Sequence, residues 1–168
     1  MLTAMLGAAS QGILWGIMVL GVFITYKLLD IADLTVDGSF ATGGAVCAVC
    51  VVAGVNPVLA IAASMLAGAI TGAVTGFLAT AFEIPAILAG ILTQISLWSV
   101  NLRIMGKSNT PLLTNETVFT QLGNATGLPA NVCAIIVGLI VAVAIVAGLY
   151  WFFGTEIGSA LRLSLIHI

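Results

Sequence analysis

The sequence predicts an all-α integral membrane protein: a bundle of about five transmembrane helices whose second helix is short or broken. Three observations lead there. Of the 168 residues, 61% are hydrophobic, too many for a wettable globule. Only four basic and six acidic residues are present, 6% of the chain, against about 25% in an average soluble domain. The charges are also clustered. None lies between Met1 and Tyr26, none in the 45 residues Gly38 to Phe82, none in the 19 residues Ile84 to Leu102, and none in the 39 residues Thr117 to Thr155. This composition excludes a soluble enzyme and a disordered chain. The net charge of -2 offers no footprint for nucleic acid.

Each element follows from these gaps. The first helix is read at 8–29. Its leading segment, Met1 to Gln11, carries no positive region, so it does not read as a signal peptide. The 45-residue gap is too long for one crossing, which needs about 20 apolar residues. It breaks at Gly54-Val55-Asn56-Pro57, a turn signal, giving helices at 39–54 and 57–80. The fourth helix, 84–105, starts beside Glu83 and Pro85, an acid near the N-terminal dipole and a proline near the first turn. The segment from Arg103 to Pro129 holds Lys107, Glu116, Asn109, Asn115 and Pro111. It reads as a loop on a membrane face with a short interfacial helix near 114–122. The fifth spanning helix is 130–153. β-barrel strands would alternate polar and apolar residues, whereas these runs are continuously apolar.

Gly68, Gly72 and Gly76 recur every four residues, and Gly12 and Gly16 repeat the spacing. In lipid, small-xxx-small patterns allow close approach of helix backbones, so the 68–76 stripe is read as a packing face.

Two polar features fall near or inside the spans. The first is the run from Lys27 to Ser39, with Asp30, Asp33 and Asp37. A helix of 39–54 would be roughly 24 Å long, short of a hydrocarbon core of roughly 30 Å. If that helix begins below the membrane surface, the N–H groups of Gly38, Ser39 and Phe40 stand free at depth beside Asp37. Irregular backbone survives there only where it lines a cavity, so these four residues become candidates for a translocation path. The alternative is an interfacial turn in which Asp37 is an N-cap. The three aspartates lack the further oxygen ligands that a hard metal ion needs. The second feature is Gln94, Ser96 and Asn101 in the fourth helix. Gln94 and Asn101 are seven apart and share a face. Substrate contact and interhelical hydrogen bonding both fit them.

Other chemistry is not visible. Cys47 and Cys50 form a lone CxxC inside an apolar helix, with Cys133 distant. That pattern suits small apolar packing better than zinc, which takes four ligands. His167 stands in the last two residues with no evident partner. There is no GxxxxGK[ST] phosphate loop and no catalytic constellation, so neither a cofactor nor enzymatic activity is expected. If the chain pumps a solute, another chain supplies the energy.

Four runs carry a resemblance: Asp33-Leu34-Thr35-Val36-Asp37-Gly38-Ser39-Phe40, Ile84-Pro85-Ala86-Ile87-Leu88-Ala89-Gly90-Ile91-Leu92-Thr93, Asn101-Leu102-Arg103-Ile104-Met105-Gly106-Lys107-Ser108-Asn109 and Thr155-Glu156-Ile157-Gly158-Ser159-Ala160-Leu161-Arg162. In this order they resemble ATP-binding cassette (ABC) importer permeases of the branched-chain amino acid and ribose type. The nearest subgroup is one linked to aromatic amino acids or without an assigned substrate. The resemblance implies a multi-pass protein of the inner (plasma) membrane that works as a dimer with a second permease copy. It also implies a separate cytoplasmic ABC ATPase and an extracytoplasmic substrate-binding protein. Glu156, Gly158 and Arg162 would then lie at or beside the ATPase contact. On the same grounds residues 1–162 read as the N-terminal part of a permease domain, and 163–168 as an atypical tail. A fragment of this kind is not expected to couple to ATP hydrolysis alone.

Lys27 and Arg162 on one side balance Arg103 and Lys107 on the other, so the positive-inside rule does not set the orientation. The resemblance does: an ATPase-facing segment after Arg162 and five crossings place the N-terminus outside. The function expected is that of an amino-acid-type permease subunit. An ATP-independent channel or secondary carrier, using the Asp30–Asp37 region, is the competing expectation.

Overall fold

The structure is a computed structural model that describes residues 1–28, 33–112, 115–156 and 158. Asp30, Arg162 and the 163–168 tail lie outside the described residues. Helices α1 (Leu2–Phe23), α2 (Thr35–Val52), α3 (Pro57–Ala81), α4 (Ala86–Met105), α5 (Val118–Thr126) and α6 (Ala130–Gly154) follow in order, and no strand occurs among the described residues. A π-helical stretch, Ile24–Leu28, continues α1. Five helices are long and apolar enough to cross a membrane, all except α5.

The α2–α3 turn forms for local reasons. Gly54 takes φ +78°, a left-handed conformation that glycine enters without a Cβ penalty. The N–H of Gly54 then donates to Val51 O, and that of Val55 to Cys50 O, each at 3.0 Å. This pair of bonds closes the helix end in a Schellman arrangement. Asn56 caps α3 by accepting from the Val58 N–H at 2.9 Å. Pro57 fills the first helical position, where its missing N–H costs nothing. The α4 helix stops at Gly106, also left-handed at φ +65°.

Several sequence expectations shift. The first helix begins at Leu2, not at residue 8. The second begins at Thr35, not at 39. Asp37, Gly38, Ser39 and Phe40 therefore lie inside the first turns of a continuous helix. The first-turn N–H groups are those of Thr35, Val36 and Asp37, and the N-cap residue is Leu34, not Asp37. The reason lies one turn upstream: Asp33 Oδ1 accepts the Thr35 N–H at 2.8 Å, which starts the helix early, and an acid such as Asp37 in the first turn favours it. With 18 residues α2 is about 27 Å long and is the shortest of the five spans. The short helix expected near 114–122 is found at Val118–Thr126. It begins where Thr117 and Thr120 bond reciprocally: the Thr117 N–H donates to Thr120 Oγ1 at 2.7 Å, and the Thr120 N–H to Thr117 Oγ1 at 3.3 Å. This is capping-box logic carried by two threonines.

The helices form two compact units, Met1–Ile31 with Leu122–Ile168 and Ala32–Gln121. In the first, α1 packs on α6. Gly7 lies near Asn131, and Gly138 lies against Ile13. The contacts advance in the same direction along both chains, so α1 and α6 are parallel, as the first and fifth of five crossings must be. In the second unit α3 runs antiparallel to α2, pairing Thr35 with Thr75 and Gly43 with Ser64. The α4 helix runs parallel to α2: Gly90 meets Leu34, and Gly38 meets Gln94 and Leu97.

Close approach is needed at Gly38 and Gly90. A Cβ on Gly90 would lie 3.0 Å from the Leu34 nitrogen and 3.1 Å from Asp33 Oδ1. By contrast, Gly68, Gly72 and Gly76 meet nothing within 4 Å. Among the described residues no helix packs on that stripe, and the side of α3 that is buried carries Ala60, Thr71 and Thr75. Gly90→Ala should lower the unfolding free energy in detergent by about 1–3 kcal/mol through overpacking. Gly72→Ala, whose Cβ meets nothing within 4 Å among the described residues, should cost less. Denaturant titration of the two variants checks this, and equal losses would contradict the packing described.

Candidate functional site

The head of α2 gathers most of the sequence-predicted polar residues. Thr35, 2% exposed, places its hydroxyl 2.9 Å from that of Thr75 on α3. Thr75 itself donates to Thr71 O at 3.3 Å, so Thr35 is the donor of the pair. On the α4 side, Gln94 Nε2 donates to Asp37 Oδ2 at 3.2 Å. Asp33 is turned to the Thr35 backbone, so Asp33 and Asp37 serve different partners and do not converge on one point. Ser39 Oγ donates to Val36 O at 3.0 Å. Phe40 lies on the exposed side of the helix.

The structure thus joins Asp37, Gly38 and Gln94 and leaves Asn101 elsewhere. Asn101 shares the Gln94 face, as the spacing requires, but lies about two turns further along with buried Leu97 between them. It is 7% exposed, and its Oδ1 has no hydrogen-bond partner among the described residues.

A groove lies between α2, α3 and α4. Its volume is about 400 Å³, and Thr42, Thr71, Thr93 and Ser96 face it among aliphatic side chains. Sequence reasoning missed Thr35, Thr75, Thr42, Thr71 and Thr93. The available signal was Thr71 and Thr75, four apart on α3 beside the more conspicuous glycines. A second cavity, about 450 Å³, lies at the opposite end of α2, where Asn56, Asn115, Glu116 and Gln121 face it. There the Asn115 amide donates to Val51 O at 3.4 Å.

Beyond α6, Thr155 turns the chain, its N–H and hydroxyl both bonding to Phe152 O. Glu156 is exposed. Gly158 is buried against the Phe152 carbonyl and the Phe153 Cα, with no room for a Cβ.

These features define a multi-pass membrane protein with a polar cluster at the head of a short span. Residues 4–165 match the family described as the branched-chain amino acid transport system, permease component. The chain is 42% identical over 118 residues to a tyrosine transport system permease protein of Clostridioides difficile (strain R20291), covering 70% of this chain and 40% of that protein. It is 36% identical over 115 residues to an uncharacterised protein of Rickettsia prowazekii (strain Madrid E), covering 68% of this chain and 40% of the relative. No solved structure matches significantly. The chain belongs to the branched-chain amino acid permease family, and its matches span about two fifths of the length of these curated relatives. A permease component is a non-enzymatic membrane subunit, and the resemblance seen in the four motifs is to this same family.

The contact between α2 and α3 is open to a direct test. A double-mutant cycle of Thr35→Val and Thr75→Val, followed by unfolding in detergent, should give a coupling energy of about 0.6 kcal/mol, typical of hydrogen bonds between membrane helices. Strictly additive losses would contradict the hydroxyl pair.

Proposed function

We propose that the chain is part of the permease subunit of an ABC importer of the inner membrane and moves an amino acid or similar small solute. The family match over residues 4–165 carries this reading. It also favours an importer over an ATP-independent channel or carrier. The cargo class is supported by the relative named for tyrosine transport. In this reading a separate ABC ATPase supplies the energy, an extracytoplasmic binding protein delivers the cargo, and a second permease copy completes the dimer.

The polar residues at the head of α2 have a role in this scheme. Asp37, Gly38, Ser39, Phe40 and Gln94 lie on the translocation path, and Asn101 lies further along the same face. Polar groups at membrane depth are costly unless they face a partner or a cavity, and the Asp37–Gln94 bond can be exchanged for solute or water as the helices move. The Gly68, Gly72 and Gly76 face is where a further membrane helix of the assembly packs, since backbones can approach closely there. Glu156, Gly158 and Arg162 form the ATPase-coupling region, with Gly158 allowing a tight turn where the chain leaves α6. The 450 Å³ cavity beside Asn115 and Glu116 lies on the side that receives the binding protein.

Co-expression of the full-length protein with the ATPase encoded beside it provides the test. The two should co-purify in detergent, and Glu156→Ala, at an exposed position, should weaken that association while leaving the permease folded by its detergent melting curve. Absence of association for the unaltered protein would overturn the importer reading.

A further inference from the structure

The polar cavity where α2 ends is built largely from acceptors. A helix C-terminus leaves its last four carbonyls without partners inside the helix and carries partial negative charge. Three of the four are taken here: Val49 O by the Ala53 N–H, Cys50 O by the Val55 N–H and Val51 O by the Gly54 N–H. The fourth belongs to Val52, which lines the cavity and receives no backbone N–H from the turn among the described residues. The amides around it turn donors into the wall. Asn115 Nδ2 donates to Val51 O at 3.4 Å, and Gln121 Nε2 to Glu116 Oε2 at 3.4 Å. The Glu116 carboxylate is the one charged group among the lining residues, and it is exposed. A volume of about 450 Å³ is far more than a bare metal ion needs, and one carboxylate is too few for a tightly held divalent cation. The matching group is a larger cation rich in donors, an ammonium with three N–H bonds or a guanidinium with five.

We propose that this cavity receives a lysine or arginine side chain of the extracytoplasmic binding protein, with Glu116 as its counter-ion and the C-terminus of α2 as a second attractive pole. The inference rests on the permease reading, with the 103–129 loop outside, and adds to it the residue that meets the partner and the sign of the charge it meets. A side chain delivered by a partner has an advantage over a free ion, because the surface around it excludes water and strengthens the pairing. Since α4 runs parallel to α2, Arg103 and Lys107 stand at this same end of the unit, yet neither lines the cavity. Charges of both signs on one face fix the register of a partner better than one sign would. Glu116 is exposed, so removal of its charge has a modest effect, about threefold in affinity.

The test uses the full-length permease with its ATPase in lipid nanodiscs, titrated with the binding protein encoded beside them. Glu116→Gln should weaken association about threefold and make it less sensitive to salt. Glu116→Lys should weaken it about tenfold, because it sets like charges against each other. Each surface lysine and arginine of the binding protein is then changed in turn to glutamate. One such exchange should restore affinity for Glu116→Lys while weakening binding to the unaltered permease. If a Glu116 variant melts early, the cycle still decides: changing that base to glutamine should weaken binding to the unaltered permease about threefold and leave binding to Glu116→Gln unchanged. Full affinity in Glu116→Lys, or a loss that no exchange in the binding protein restores, would overturn the proposal. ATP-driven uptake in proteoliposomes reports on the permease reading itself. Uptake and association indifferent to Glu116 would sink only the cavity assignment, whereas an unaltered complex that neither binds the binding protein nor takes up solute would sink the importer and the cavity assignment with it.

Discussion

The start of α2 is the constraint on which the three-helix unit rests. A helix N-terminus leaves backbone N–H groups without partners, and hydrocarbon supplies none. Here Asp33 accepts the Thr35 N–H at 2.8 Å, and the neighbouring backbone of α4 comes close because Gly90 carries no side chain. Once that end is fixed, Thr35 reaches Thr75 on α3 and Asp37 meets Gln94 on α4. The three helices are thus joined at one level by side chains that would be expensive to leave unsatisfied. The remainder of the contact is close packing of small residues such as Ala45, Ala60 and Ala89, all buried.

Much of this was legible from the chain. Long uncharged runs located five spans, and Gly54, Asn56 and Pro57 marked the α2–α3 turn, because each of those residues acts through its own backbone conformation or cap. The start of α2 was not legible in the same way. Asp37-Gly38 reads as a turn, yet both residues are helical, and the decisive group is the side chain of Asp33 four positions earlier. The glycine stripe of α3 was the most conspicuous pattern and meets nothing within 4 Å among the described residues. The threonines between those glycines make the buried contact instead. A period alone cannot tell which of two adjacent faces is covered when the neighbouring helices are unknown. The groove was invisible for a related reason, since Thr42, Thr71 and Thr93 are scattered in sequence and meet only through tertiary packing.

Parallel α1 and α6, and parallel α2 and α4 flanking an antiparallel α3, are the directions that five successive crossings require. Residues 4–165 match a permease family, and the motif Asp33–Phe40 that carried the resemblance is the segment that organises the second unit. Its acid and hydroxyl groups supply the polar contacts at the start of α2.

The proposal that the head of α2 lines a path moved by ATP is tested most directly by cysteine accessibility. Cys47, Cys50 and Cys133 are the three cysteines of this chain, and any others in the full-length protein would be replaced with them. Ser39→Cys would then be probed with a water-soluble thiol reagent in the assembled importer. The account predicts a labelling rate that changes several-fold between the nucleotide-free and vanadate-trapped states. A site that never reacts, or reacts at one rate in both states, would contradict it.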